Sequence, residues 1–283
     1  PGPARPNLAL LSYTKSWEKG SKNAELFQIF CLFVGGLDKR RQIPYNNGVP
    51  RRQKAGGRGG DRVGRFDGLL LVSDFDDTLY DHHHRVPERN LRAIGAFRRE
   101  GGLFTVATGR ALRTFSPFAG LVPLDAPVVL SNGAALYDFR TGRMLEQTIL
   151  PDSAPADLAA ALEEFPTLAL EAYHGEDVYI YRPNSITWAH LEKVGVKGTQ
   201  AAPGQVPLPW TKAMLQGEPD VLRLARDWFL ARYGGAYEAI FSNPFYLEIT
   251  CKGSTKGGMV AKLARLTGIA PGHIYCVGDN QND

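Results

Sequence analysis

The chain has 283 residues, 43% of them hydrophobic and 22% charged. That balance excludes a disordered or fibrous protein and leaves room for one large globular unit or two smaller ones. The formal net charge of +4 conceals a division, because residues 1–66 carry 13 Lys and Arg against 4 Asp and Glu, whereas the rest carries 20 against 25.

Residues 1–66 read as a basic segment, disordered or not native to the domain that follows. From Asp38 to Arg65 the chain is rich in Arg, Gly, Asn and Pro, with too little apolar surface to offset the entropy of ordering it. The apolar patch Leu26 to Val34 is too short to span a bilayer and poorly placed for a signal sequence; it fits a short helix. An Arg/Gly-rich tail can contact RNA, but its most basic part lacks interleaved aromatic residues, so neither nucleic acid nor a membrane is the expected partner. Cys31, Cys251 and Cys276 form neither a disulfide framework nor a zinc-type pair, which points to a reducing cytoplasm.

From Asp67 the pattern changes. Gly68 to Ser73 is a short apolar run of the kind that forms a buried parallel strand, and it leads into Asp74-Phe75-Asp76-Asp77-Thr78-Leu79. Carboxylates gathered at a buried strand end repel one another and call for a cation; oxygen-only ligands favour Mg²⁺. Pro87 and Glu88 open a helix with Leu91, Ile94 and Phe97 on one face, stopped at Gly101-Gly102. Leu103 to Ala107 is the next strand, and Thr108-Gly109-Arg110 turns into a second helix. Pro127 to Leu130 is a third strand, ending at Ser131-Asn132-Gly133. This β-α-β-α-β order predicts an α/β fold with a parallel sheet, whose ligands sit at the carboxyl ends of the strands.

The middle of the chain reads as an α+β insertion over 135–240: a hairpin from Ala135, helices near 154–164, 185–194 and 219–233, and strands near 168–173 and 178–182. The core is expected to resume at 241, with a strand at Phe245 to Ile249. A helix capped by Ser254 or Thr255 then ends at Gly268, and a last strand, His273 to Val277, leads into Gly278-Asp279-Asn280-Gln281-Asn282-Asp283.

These strand and helix ends carry the residue types that phosphoryl transfer needs: carboxylates for nucleophile and proton transfer, a hydroxyl, an ammonium and acids for a metal. The blocks Asp74 to Leu79, Ala107-Thr108-Gly109-Arg110, Lys256 within Ser254 to Gly257, and Gly278 to Asp283 resemble the four motifs of the haloacid dehalogenase superfamily. The likeness is to its Cof-type phosphatases with a type IIB cap, covers 67–283, and extends to Ser131-Asn132-Gly133-Ala134. It implies a Rossmann-like catalytic core (67–134 and 241–283) with an inserted α+β cap domain. It further implies Asp74 as nucleophile, Asp76 as general acid and base, and Mg²⁺ held by Asp74, Asp76, Asp279 and Asp283, with Asn282 behind them. Thr108, Gly109, Arg110, Asn132 and Lys256 would hold the substrate, a small phosphorylated metabolite.

Two departures stand out. Asp77 replaces the Gly usual at its place. The chain also opens on Pro1 and stops at Asp283 inside the fourth motif, from which a fragment is expected, lacking the family's last helix and strand and weakened in its core.

Other features have plainer readings. His82-His83-His84 is a solvated turn, since adjacent side chains do not converge on one ion. Tyr173, His174, Tyr179 and Tyr181 are cross-strand packing before they are a pocket, Trp188, Trp210 and Trp228 are packing, and Lys212 is structural. The rivals to a phosphatase are a phosphomutase of the same superfamily and a non-catalytic protein whose basic tail contacts RNA.

Overall fold

The structure is a computed structural model that describes residues 64–81 and 85–278. The expectations placed on residues 1–63, His82 to His84, Asp279, Asn282 and Asp283 lie outside the described residues.

Four strands run parallel. β1 (Leu70–Ser73) pairs on one side with β12 (Ile274–Val277) and on the other with β2 (Leu103–Val106). β3 (Val128–Leu130) joins β2 through a parallel bridge between Ala107 and Val129. Side chains alternate across β1 and meet a different helix on each face. Leu71 packs with Ile94 and Phe97 of α1 (Glu88–Arg99), whereas Leu70 and Val72 pack with Met259, Val260 and Leu263 of α6 (Lys256–Thr267). Burial on both faces explains the unbroken apolar run, each such side chain contributing roughly 1.5–3 kcal/mol.

The second crossover is less helical than the sequence pattern suggests. Only α2 (Leu112–Phe115) is α-helical, and Ser116–Leu121 tightens to a 3₁₀ turn. Pro117 lacks the N–H that another α-turn would use.

The expected hairpin is present as β4 (Ala135–Asp138) and β5 (Arg143–Gln147), but it extends the core side of the molecule: β4 lies antiparallel to β3. The chain reverses there through Ser131, Asn132 and Gly133, with φ of 50°, 54° and 96°. A boundary at 134/135 therefore falls inside a sheet.

A second sheet has the order β10-β11-β9-β6-β7-β8. Its strands are β6 (Ala169–His174), β7 (Asp177–Tyr181), β8 (Gly198–Gln200), β9 (Lys212–Gln216), β10 (Tyr237–Asn243) and β11 (Tyr246–Cys251). This corrects the expectation that the core resumes at 241, because β11 pairs antiparallel with β9 and β10. An apolar run ahead of a helix looks like a parallel strand; its alternate residue Glu248 is what marks a two-faced one. One face of this sheet buries Leu170, Ala172, Ala213, Leu215, Leu247 and Ile249 against α3 (Ala154–Glu164) and α5 (Pro219–Tyr233). α4 (Ser185–Val194) packs Leu191 against Tyr173, Val178 and Ile180 on the other face. Trp210 is fully buried and Trp228 packs on the apolar cluster, but Trp188 is half-exposed, so its assignment to packing does not hold. Among the described residues no helix is long and apolar enough to cross a membrane.

Candidate active site

The carboxyl ends of the parallel strands meet at one rim. Asp74 N donates to Val277 O (2.8 Å), Ala107 N to Ser73 O (2.9 Å), Thr108 N to Val129 O (2.9 Å) and Asn132 N to Thr108 O (3.1 Å). Asp74, Thr108 and Asn132, far apart in sequence, thus become neighbours through backbone pairing alone.

Lys256 arrives from the other side. Thr255 caps α6, its Oγ1 accepting from Gly258 N at 2.9 Å, and this fixes where the helix begins. Lys256 is the first helical residue, and its Nζ donates to Asp74 Oδ1 at 2.6 Å, with both residues buried. The approach depends on Gly133. Its φ of +96° already disfavours a side chain, and a Cβ there would lie 2.1 Å from Thr255 O. Ser131-Asn132-Gly133 is thus the seat on which the start of α6 rests.

Asp76 is engaged by Arg110. The guanidinium forks onto both carboxylate oxygens, Nε to Oδ2 at 2.9 Å and an Nη to Oδ1 at 2.6 Å, and lies against the Phe118 ring at 4.5 Å. Arg110 was expected to hold substrate; its charge here is directed at Asp76, and another of its N–H groups reaches Thr114 O. Each Asp76 oxygen thus accepts one charge-assisted hydrogen bond and keeps a second lone pair for a further partner. Thr108 is fully buried, and its Oγ1 accepts from Arg110 N at 3.1 Å. Asp77 has φ of 61°, the backbone reason a Gly suits this place. Its carboxylate is largely exposed and lies 3.8 Å from Lys193 Nζ of α4.

The donors that Asp74 and Asp76 offer are all oxygen, which fits a hard divalent cation. Among the described residues no three His, Cys, Asp or Glu side chains converge as a metal group. Asp279, two residues beyond the end of β12, is the next acid along the chain.

The family model for haloacid dehalogenase-like hydrolases matches residues 71–283. The chain belongs to that family. It stands among its Cof-type phosphatases and is a phosphoric monoester hydrolase. The putative phosphatase YxeH of Bacillus subtilis is 25% identical over 225 residues, 76% of this chain and 82% of the relative. The same organism's 5-amino-6-(5-phospho-D-ribitylamino)uracil phosphatase YwtE is 27% identical over 248 residues, 75% of this chain and 82% of the relative. The solved subclass IIB sugar phosphatase BT4131 superposes with a TM-score of 0.65 at 19% identity, covering 76% of this chain and 82% of the other.

This haloacid dehalogenase-like chain carries a second group of buried polar residues that the sequence reading left aside. Lys212, read as structural, is only 4% exposed, and its Nζ lies 3.1 Å from Glu248 Oε2 and 3.4 Å from Gly109 O across in the core. Tyr173, read as packing, donates its hydroxyl to Glu171 Oε2 at 2.6 Å. Glu171 also meets His190 Nδ1 at 2.9 Å and accepts from Gln216 Nε2 at 2.7 Å. Burial alone would raise the Glu171 carboxyl, but His190, through its hydrogen bond and charge, joined by Tyr173 and Gln216, holds it below the usual carboxylate range. The same burial, with the charges of Glu171 and Glu248, pushes the Tyr173 hydroxyl well up. Tyr179 and Tyr181 are on the apolar side as expected, and His174 is half-buried, its Nδ1 3.0 Å from Pro209 O. The usable signal was the alternation Lys212-Ala213-Met214-Leu215-Gln216 beside Tyr246-Leu247-Glu248-Ile249: charged residues on one face, apolar on the other.

Proposed function

We propose that this phosphatase hydrolyses small phosphate monoesters through a covalent aspartyl-phosphate on Asp74, with Mg²⁺ as its cofactor. The observation that carries the reading is the buried 2.6 Å contact between Asp74, at the end of β1, and Lys256, at the start of α6. Burying an ion pair is a poor route to stability, which favours a chemical use for it.

In the first step an Asp74 oxygen attacks phosphorus as the bond to the ester oxygen breaks, and Asp76 gives that oxygen a proton. In the second, water attacks the same phosphorus while Asp76 takes its proton, releasing inorganic phosphate and restoring the Asp74 carboxylate. Lys256 holds Asp74 in line and offsets charge on the phosphoryl oxygens, to which Thr108 donates its hydroxyl. Asn132 and Gly109 shape the loop on which those oxygens rest. The Asp74 carboxylate, the Asp76 carbonyl and Asp279 would hold the cation, with Asn282 and Asp283 behind them; when bound it neutralises charge on the transferring group. The second sheet would act as the cap, closing over the site and excluding water. A reducing cytoplasm belongs to the same reading, since Cys251 on β11 and Cys276 on β12 are widely spaced in the chain and stand in different sheets.

A phosphate-release panel of sugar, nucleotide and cofactor-type monoesters, run on the full chain with Mg²⁺ and with chelator, tests the reading. Turnover should require the metal and vanish in Asp74→Asn. Wild-type turnover in that variant would overturn it.

A further inference from the structure

Among the described residues, one contact between the second sheet and the core is made by a buried cation. Lys212 stands on β9 with its ammonium 3.4 Å from Gly109 O, in the loop directly after Thr108. Lys212 thus stands beside the loop that carries Thr108. An ammonium has three N–H donors. Here one is directed to Glu248 Oε2 and one to Gly109 O, and the Tyr173 ring lies 4.5 Å from the nitrogen. Glu248 is held in turn by Ser242 Oγ at 3.1 Å, on its other oxygen.

We propose that Lys212, set by Glu248 and Tyr173, reads the substrate's leaving group, and that this pair selects an uncharged, hydroxyl-bearing leaving group over one carrying a second anion. The inference rests on the phosphatase reading and adds to it the chemistry of the leaving group. The reasons are charge and valence. A hydroxyl accepts from Lys212 and donates to Glu248, so both members of the pair keep their partners. A second phosphate or carboxylate gains the ammonium but lies against the Glu248 carboxylate, in a buried place where like charges are weakly screened. Glu171, fully buried behind Tyr173 and hydrogen-bonded to its hydroxyl, adds a further negative charge on the same face.

The test compares three substrates on the full chain: a polyol monophosphate, a sugar bisphosphate and p-nitrophenyl phosphate. The wild type should prefer the polyol monophosphate to the bisphosphate. Replacing a hydrogen bond to a charged group typically costs about tenfold or more. Lys212→Met should therefore lower kcat/KM for the polyol ester relative to p-nitrophenyl phosphate by about that factor, mainly through KM. Lys212→Arg should recover part of the loss. Glu248→Gln should move the preference about tenfold toward the bisphosphate.

Equal losses on all three substrates, or a bisphosphate preference untouched by Glu248→Gln, would overturn the proposal. Because Lys212→Met leaves Glu248 buried without its cation, the double variant Lys212→Met/Glu248→Gln is measured beside it, with a thermal melt. Preference lost in a folded double variant supports the assignment, and preference kept overturns it. If the wild type releases phosphate from none of the esters, the phosphatase reading fails separately. Calorimetric binding of the polyol monophosphate then decides the role of Lys212: weaker binding in Lys212→Met supports it, and unchanged binding refutes it.

Discussion

Among the described residues are two buried carboxylate–ammonium pairs, Asp74 with Lys256 and Glu248 with Lys212, and they are built differently. Asp74 and Lys256 are 182 positions apart and meet at 2.6 Å, one ending a parallel strand and the other opening a helix. Glu248 and Lys212 are 36 apart and meet at 3.1 Å, on adjacent antiparallel strands of one sheet. The first pair is gathered by convergence of strand ends, where backbone direction changes and a reacting group can enter. The second lies on the surface of a sheet, where side chains project in register and can read a ligand's shape without reacting with it. On the proposed reading similar burial serves two purposes, and substitutions should tell them apart.

The largest effect belongs to the first pair. Asp74→Asn keeps an oxygen near Lys256 but removes the proposed nucleophile, so phosphate release should fall at least ~10⁴-fold, as when other covalent nucleophiles are removed. Circular dichroism should show an unchanged fold. Next, Lys256→Met should lower kcat by about 10²–10³-fold, the usual cost of one charge-stabilising donor. A change confined to KM would make Lys256 resemble Lys212 and dissolve the contrast.

The geometry that brings Lys256 to Asp74 can be attacked from a distance. Gly133→Ala forces a Cβ toward Thr255 O and strains a positive φ, so stability should drop by about 2 kcal/mol, read from chemical unfolding. Activity should fall with it, since the helix start must shift.

A smaller effect separates the second face by pH. The Glu171 carboxyl is held low in the folded state, so its stabilisation is complete above the unfolded carboxyl value of about 4.3 and disappears as pH falls through the folded value. Melting temperatures from about pH 6 to about pH 3 should therefore fall less steeply in Glu171→Gln than in the wild type. Smallest of all, Asp77→Gly relieves a positive φ and breaks an exposed contact to Lys193, and stability should change by no more than about 1 kcal/mol.

Much of the rim could be read in advance, because its residues belong to local signals. A buried apolar run ending in Asp74, a strand ending before Thr108 and a capped helix opening on Lys256 each announce their position within a few residues. Helices α3, α4 and α5 were legible for the same reason, through periodicity and flanking caps. Arg110 was not, since nothing in Thr108-Gly109-Arg110 says that its guanidinium lies against Phe118 and forks onto Asp76. The hairpin β4–β5 and strand β11 were legible as strands and misplaced as to sheet.

The sequence alone determined the α/β class, the family and the acids, hydroxyl and ammonium to which the proposed chemistry is assigned, because each is written into a short stretch of chain. The tertiary structure decided which sheet each strand joins, that Gly133 seats the start of α6, and that Lys212 reaches from one sheet to the carbonyl of Gly109. Those outcomes rest on pairing between segments many tens of residues apart. Such pairing is fixed by which faces bury one another, and no local pattern records that choice.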